Sequence, residues 1–341
     1  MDWPSVLSTL IDGDDLTAAQ AGDALRSILA GEATEAQIAG LLVGLRAKGE
    51  SVVEVSAMVD AMLEAAAPVA LPAGPDAIDI VGTGGAPTRR VHALNVSTMA
   101  SFVAAGAGAR VVKHGNRRAS STSGSFDLLE ALGVAVELDG AGIARCVERA
   151  GIAFCFARSF HPAMRHAGPV RTQLGVPTVF NFLGPLSNPA GVVRQVIGVS
   201  DGRLAPVVVG VLADRGAPRA MVVTGADGMD EFTTTGPTTV HELRDGAVTT
   251  RTFEPTDVGL DVVDPAAIAG GGPEANAAIA RRVFAGESGP YRDIVCLNAA
   301  AGLVVAGVVD DLGSGVEAAR ASIDSGAAQG VLDRLLAVEL D

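Results

Sequence analysis

Aromatic residues are scarce in this chain of 341: ten Phe, one Tyr and one Trp make up 4% of it. Ala, Val, Leu and Gly must therefore carry the packing. Cations are short as well, 25 Lys and Arg against 39 Asp and Glu, which leaves a net charge of −14. That deficit argues against a general affinity for nucleic acid or an anionic membrane and makes any phosphate site a local exception. Cys146, Cys155 and Cys296 are odd in number and sit in apolar company, so they read as reduced core thiols rather than a disulfide frame, which points to the cytoplasm. No run of 18 or more apolar residues lacks a polar break, and no basic segment leading into an apolar one opens the chain. A membrane span and a secretory leader are therefore not expected. What the chain does have is 48% hydrophobic content, enough for a large core and a division into two domains.

The first seventy residues read as helical. Thr17 with Gln20, Thr34 with Gln37 and Ser51 with Glu54 each place a hydroxyl three positions before an amide or acid, the pattern of a capping box. Behind each box apolar residues recur at helical spacing, as in Ile38, Leu41, Leu42 and Leu45. Gly31 and Gly49 stand where C-terminal caps belong. Such a module of about four short helices suits packing or oligomerisation. Leu71-Pro72-Ala73-Gly74-Pro75 then reads as a linker.

Beyond the linker, apolar runs at 77–81, 109–113, 134–138, 153–156, 195–199 and 219–224 alternate with helical patterns. That is the signature of a mostly parallel sheet covered on both faces, with ligands at the carboxyl ends of its strands. Residues 160–190 are too rich in proline for a simple crossover and are expected to return onto the helical module. The predicted fold is α/β, a small all-helical domain (1–71 plus 160–186) joined to a large α/β domain (76–159 and 187–341) whose sheet is flanked by helices.

Three constellations fall at those strand ends, and a fourth opens the helix after the first. Gly82-Thr83-Gly84-Gly85 follows the first strand; it is neither a Walker loop nor the dinucleotide fingerprint, and alone it could be a tight turn. Asn95, Ser97 and Thr98 precede an apolar helix, where one of them serves as N-cap and several together suit a phosphate nest. Lys113-His114-Gly115-Asn116-Arg117, followed by Ser120, Ser121, Ser123 and Ser125, brings cations and hydroxyls suited to pyrophosphate. Asp230-Glu231 could be a solvated acidic turn, yet beside phosphate it is what Mg²⁺ requires. Arg171 is either a solvent-facing helical residue or a bidentate grip for a carboxylate. His161, His166 and His241 show no metal spacing and read as structural or surface residues; His92 stays undecided.

In order and spacing these motifs, with Phe180-Asn181-Phe182-Leu183-Gly184-Pro185-Leu186 and Asn298-Ala299-Ala300, resemble the anthranilate phosphoribosyltransferases over almost the whole chain. The resemblance implies Mg²⁺-dependent transfer of a phosphoribosyl group to anthranilate in tryptophan biosynthesis, by a cytoplasmic homodimer joined through its helical domains. It implies Gly82, Gly84, Gly85, Asn95, Ser97, Thr98, Lys113, His114, Gly115, Asn116, Arg117, Ser121 and Ser125 around phosphoribosyl pyrophosphate. Gly82, Asn116 and Arg171 would face anthranilate, and Ser97, Asp230 and Glu231 would serve the metal. Lys113, Arg171, Asp230 and Glu231 would carry catalysis. The alternatives are a transferase of the same fold acting on another aromatic amine, or a catalytically silent homologue.

The chain departs from the family pattern at Ala86, where Asp is usual, and at Ala93, where Thr is usual, and its segment between Gly85 and Asn95 is longer. The extra length brings Arg89 and Arg90, one of which is expected to reach the donor phosphates in place of the lost carboxylate; a loop reshaped for a different acceptor amine is the alternative. Replacing both with Ala should weaken donor affinity; a calorimetric titration giving an unchanged affinity would refute this. Thr224 also stands where the family commonly has His.

Overall fold

The computed structural model describes residues 1–74, 76–84, 93–117 and 122–340. Four helices come first, α1 (Trp3–Ile11), α2 (Ala18–Leu29), α3 (Glu35–Lys48) and α4 (Val52–Glu64). All three capping boxes form: the Thr17, Thr34 and Ser51 hydroxyls each accept from the backbone N–H three residues on, and the Gln20, Gln37 and Glu54 side chains reach back. Each such cap is worth about 0.5–2 kcal/mol. Gly31 and Gly49 end their helices at φ 77° and 94°, where a side chain would be strained.

The α/β part follows: β1 (Ile78–Gly82), α5 (Val96–Gly106), β2 (Val111–Gly115), α6 (Ser125–Leu132), α7 (Gly140–Ala150), β3 (Ile152–Phe156) and the short α8 (Ala157–Phe160). A 3₁₀ turn at Pro162–His166, α9 (Gly168–Leu174) and α10 (Phe180–Leu186) make the central excursion. The excursion packs against α2, α3 and α4. The sheet resumes with β4 (Arg194–Gly198), crosses over through α11 (Ala205–Asp214) to β5 (Arg219–Gly225), and ends with β6 (Thr238–Arg244) and β7 (Ala247–Phe253). Four helices close the chain, α12 (Pro273–Phe284), α13 (Pro290–Ala306), α14 (Leu312–Asp324) and α15 (Ala327–Leu336).

The seven strands lie in the order β3-β2-β1-β4-β5-β6-β7. The first five are parallel, and β5-β6-β7 is antiparallel. The fold is thus a helical N-terminal unit with a large α/β unit whose mostly parallel sheet is flanked by helices. Two buried clusters hold it together. One joins the sheet to α5, α12, α13, α14 and α15; the other runs from α1–α4 through α9 and α10 to α11 and the adjoining face of β4 and β5. α11 therefore shares its core with the N-terminal helices, which the sequence pattern does not reveal.

Two expectations are corrected. Residues 134–138 form no strand. Val134 and Val136 are buried while Ala135 and Glu137 are exposed, so the alternation is real, but the segment packs on the core instead of pairing with the edge strand β3. The β6-β7 hairpin is absent from the sequence reading, although Asp245-Gly246 signals it. Both residues have positive φ, 51° and 82°, as a two-residue turn between right-twisted strands requires. Among the described residues no helix is long and apolar enough to cross a membrane.

Candidate active site

From β1 the chain steps to β2 and β3 on one side, while β4 and β5 lie on the other, so the gap between β1 and β4 is a topological switch point, where open α/β sheets bind ligands. The two strands end there on a pair of glycines, Gly82 opposite Gly198. The Asp230 carboxylate occupies the space a Cβ of Gly82 would need, and the Asp230 backbone does the same at Gly198. Bare glycine at both strand ends thus lets the acidic loop seat directly on the sheet.

The glycine loop is stapled in place. Thr83 N–H donates to Gly198 O (2.9 Å), Ser200 Oγ donates to Gly84 O (3.0 Å), and Gly84 N–H donates to Asp230 Oδ2 (2.7 Å). Gly84 has φ 66°, and its N–H is taken up by the Asp230 carboxylate across the switch point. Asp227 fixes the acidic loop from below, accepting from Met229 N–H and from the hydroxyls of Thr233 and Thr235.

A cleft of about 900 Å³ opens above these loops. Gly82, Gly84, Asn95, Ser97, Thr98, Lys113, His114, Gly115, Asn116, Arg117, Ser125, Arg171, Asp230 and Glu231 all line it. Gly85, Ser120 and Ser121, together with Arg89, Arg90 and His92, lie outside the described residues. Asn95 stands at the N-cap of α5 but makes no side-chain cap. Its amide instead exchanges hydrogen bonds with Ser123, and its Oδ1 accepts from Asn276 Nδ2 (2.8 Å). Thr98 Oγ1 is buried without a hydrogen-bond partner, as a group awaiting a ligand would be. Arg117 pairs with Glu130 (2.7 Å) and lies over Phe156; the pair is exposed, hence weak.

Two family models match the chain, the glycosyl transferase family a/b domain over residues 74–329 and the helical bundle domain of the same family over 4–66. Anthranilate phosphoribosyltransferases from Arthrobacter sp. and Acidothermus cellulolyticus are 52% and 54% identical to it, covering 98% and 97% of this chain and 96% and 93% of theirs. The crystal structure of the Thermus thermophilus enzyme superimposes with a TM-score of 0.91 at 44% identity, with 98% of each chain covered. The Saccharomyces cerevisiae enzyme in complex with phosphoribosyl pyrophosphate and Mg gives 0.88 at 28% identity, over 98% of this chain and 97% of that one. The chain belongs to the anthranilate phosphoribosyltransferase family. Among its members Mg and donor have been seen bound together, in the yeast structure.

Against that family background, the charges around the cleft can be assigned. Lys113 is 2% exposed and donates to Ile80 O (2.5 Å). Burial lowers its pKa, opposed by the nearby charges of Asp79, Glu231 and Asp230. Asp79, fully buried behind the strand ends, is pushed up to about 6 by burial, against the pull of Lys113 and of hydrogen bonds from Asn188 and His114 N–H. Arg171, on α9, lies over the Phe180 ring (5.3 Å) and is lowered by burial; no acid among the described residues forms a salt bridge with it.

The sequence reading missed several residues of this wall. His161 is buried, lines the cleft and lies with its ring tilted against His114 at 5.1 Å, so of the two readings, structural or surface, the surface one fails. Arg158, Arg165, Phe180, Asn181 and Gly184 also face the cleft. Only the three-dimensional return of the excursion brings the last four there. Asn276 on α12 gave no signal, being one polar residue in an amphipathic helix.

His114 has a measurable consequence for stability. Its Nδ1 donates to Gly184 O (2.9 Å), leaving Nε2 buried without a hydrogen-bond partner, and burial, with a smaller push from His161, lowers its pKa from 6.5 to about 3. The unfolded chain takes up this proton first, so His114 costs the native state stability as pH falls from about 6.5 towards 3. His161 acts in the same sense, whereas Asp79, with its raised pKa, acts oppositely between about 4 and 6. Subtracting a His114→Gln variant isolates the first contribution. The wild-type advantage in urea unfolding should shrink by about 1.4 kcal/mol per pH unit between about pH 6 and 4; a pH-independent difference would contradict a buried neutral imidazole.

Proposed function

We infer that this chain transfers the phosphoribosyl group of phosphoribosyl pyrophosphate to the amine of anthranilate, giving N-(5-phosphoribosyl)anthranilate and pyrophosphate in tryptophan biosynthesis. It is a Mg²⁺-dependent pentosyltransferase. The observation that carries this reading is the meeting, at one switch point, of a glycine loop, a buried lysine and a carboxylate pair, in a chain whose relatives match it from end to end.

In the transfer a C1–N bond forms as the C1–O bond to pyrophosphate breaks, and a proton leaves the nitrogen. An aromatic amine needs little deprotonation before it attacks, so alignment and stabilisation of the leaving group dominate. We assign the leaving pyrophosphate to Lys113, the Gly82–Gly85 and Asn95–Thr98 loops, and the segment His114–Arg117 with Ser121 and Ser125. Gly82, Asn116 and Arg171 take the acceptor, Arg171 at its carboxylate.

Asp230, Glu231 and the Ser97 hydroxyl offer only oxygen donors to the cleft, the set a hard divalent ion prefers. Among the described residues no three His, Cys, Asp or Glu gather into a closed cage, which suits an ion that keeps waters and takes its remaining ligands from phosphate. When bound, Mg²⁺ supplies charge neutralisation at the departing pyrophosphate.

The division into a helical domain (1–71 with 160–186) and an α/β domain is supported by the packing of the excursion on α2–α4. We place a homodimer interface on the helical domain. Ile11 and Val43 are 83% and 48% exposed on the packed pair α1 and α3, and Val176, 54% exposed, follows α9, which packs on α3. Buried free thiols support a cytoplasmic location. The direct test follows loss of anthranilate fluorescence with donor and Mg²⁺. Turnover with anthranilate but not with aminobenzoates lacking the ortho carboxylate is expected; no turnover of anthranilate would defeat the reading.

A further inference from the structure

One buried side chain outside the cleft is hydrogen-bonded to the residue that follows the acidic pair. Asn298 sits on α13 at 1% exposure. Its Oδ1 accepts from Phe232 N–H (3.0 Å), and its Nδ2 donates to Phe232 O (2.8 Å) and to Ile294 O one helical turn back (2.9 Å). Every hydrogen-bonding group of the amide except one lone pair is thus committed. Both backbone polar groups of Phe232, the residue directly after Glu231, are held by this one side chain. The Phe232 ring is itself fully buried, edge-on to Phe253 at 5.4 Å.

On its other side the acidic pair is fixed by the sheet, through Gly84 N–H on the Asp230 carboxylate and the Asp230 backbone on Gly198. Phe232 N–H belongs to the peptide that follows Glu231, so orienting it orients the Glu231 Cα and the direction its carboxylate takes. We propose that Asn298 is a positioning residue that holds Asp230 and Glu231 in the geometry a divalent cation needs. The inference rests on the reading of those two carboxylates as the metal pair. A helix residue serves here because α13 is buried from Ile294 to Val305, and rigidly held ligands bind metal more tightly than loosely held ones.

The test titrates the full-length protein with phosphoribosyl pyrophosphate by calorimetry at a series of MgCl₂ concentrations, without anthranilate. Asn298→Leu, close in volume but without the three hydrogen bonds, should raise the Mg²⁺ concentration for half-maximal donor binding about 10–100-fold. Asn298→Asp keeps the acceptor for Phe232 N–H and loses both donors; it should show the same shift and carries the test should the Leu variant fail to fold. Leu303→Ala, a fully buried truncation on the same helix, should lower thermal stability with the Mg²⁺ requirement unmoved. An unchanged requirement in a folded Asn298 variant, or an equal shift in Leu303→Ala, would overturn the proposal. Asp230→Asn run in parallel separates the two levels. If it also leaves the requirement unchanged, the metal reading itself falls; if it alone shifts the requirement, only the role of Asn298 does.

Discussion

Asp230→Asn lowers kcat by about 10²–10³-fold, the usual effect of removing one preorganised electrostatic contact from a site where charge departs. The variant keeps its fold because an asparagine oxygen can still accept from Gly84 N–H, as Asp230 Oδ2 does at 2.7 Å, and because the residue's volume above Gly82 and Gly198 is unchanged. What it loses is one of two adjacent negative charges facing the donor phosphates. In a molecule of net charge −14, a pyrophosphate is admitted only where local cations and amides outweigh the general repulsion. If Asp230 helps hold the metal, as proposed, its neutral form would hold a divalent cation less tightly, so the Mg²⁺ requirement should rise together with the fall in kcat. Steady-state rates at varied MgCl₂ check this. A variant within about twofold of wild type, on a scale where one lost contact is worth 10²-fold or more, would remove Asp230 from the chemistry.

Arg171→Ala raises the anthranilate KM by about 10–100-fold, matching the 1.5–3 kcal/mol typical of a hydrogen bond to a charged group, while the donor KM stays near wild type. The reasoning is geometric. Arg171 stands on α9 across the cleft from the β1 and β4 ends, stacked on Phe180, with burial drawing its pKa down. A guanidinium in that setting, with no salt bridge to any described acid, would suit the proposed acceptor carboxylate, and its removal should cost little folding energy. Arg171→Lys should recover only part of the affinity, because an ammonium lacks the planar fork that matches a carboxylate. Anthranilate dependence untouched by Arg171→Ala would show that the acceptor lies elsewhere.

Much of this was legible in the sequence because local rules act at short range. The three capping boxes place α2, α3 and α4 through contacts three residues apart, and the glycine loop, the Asn95–Thr98 turn and the lysine-ended strand announce themselves through unusual residue types at strand ends. Residues 134–138 misled because alternate burial looks the same whether a segment pairs with a sheet or only lies on a core. The β6-β7 hairpin was carried by a single Asp-Gly pair between strands whose outer members are mostly exposed, and so lacked an apolar signature. Arg165 reaches the cleft only through the fold of the excursion, and Arg158 and His161 through the turn by which β3 leads into it. Asn276 and Asn298 act on loops 181 and 66 residues away in the chain, and neither contact leaves a local pattern.

The most direct measurement is a crystal structure of the protein with phosphoribosyl pyrophosphate and Mg²⁺. The account predicts the pyrophosphate between the Gly82–Gly84 turn, the Asn95–Thr98 turn and Lys113, with one cation joining it to Asp230 and Glu231. Donor bound away from the gap between β1 and β4, or a cleft left vacant at saturating donor, would contradict it.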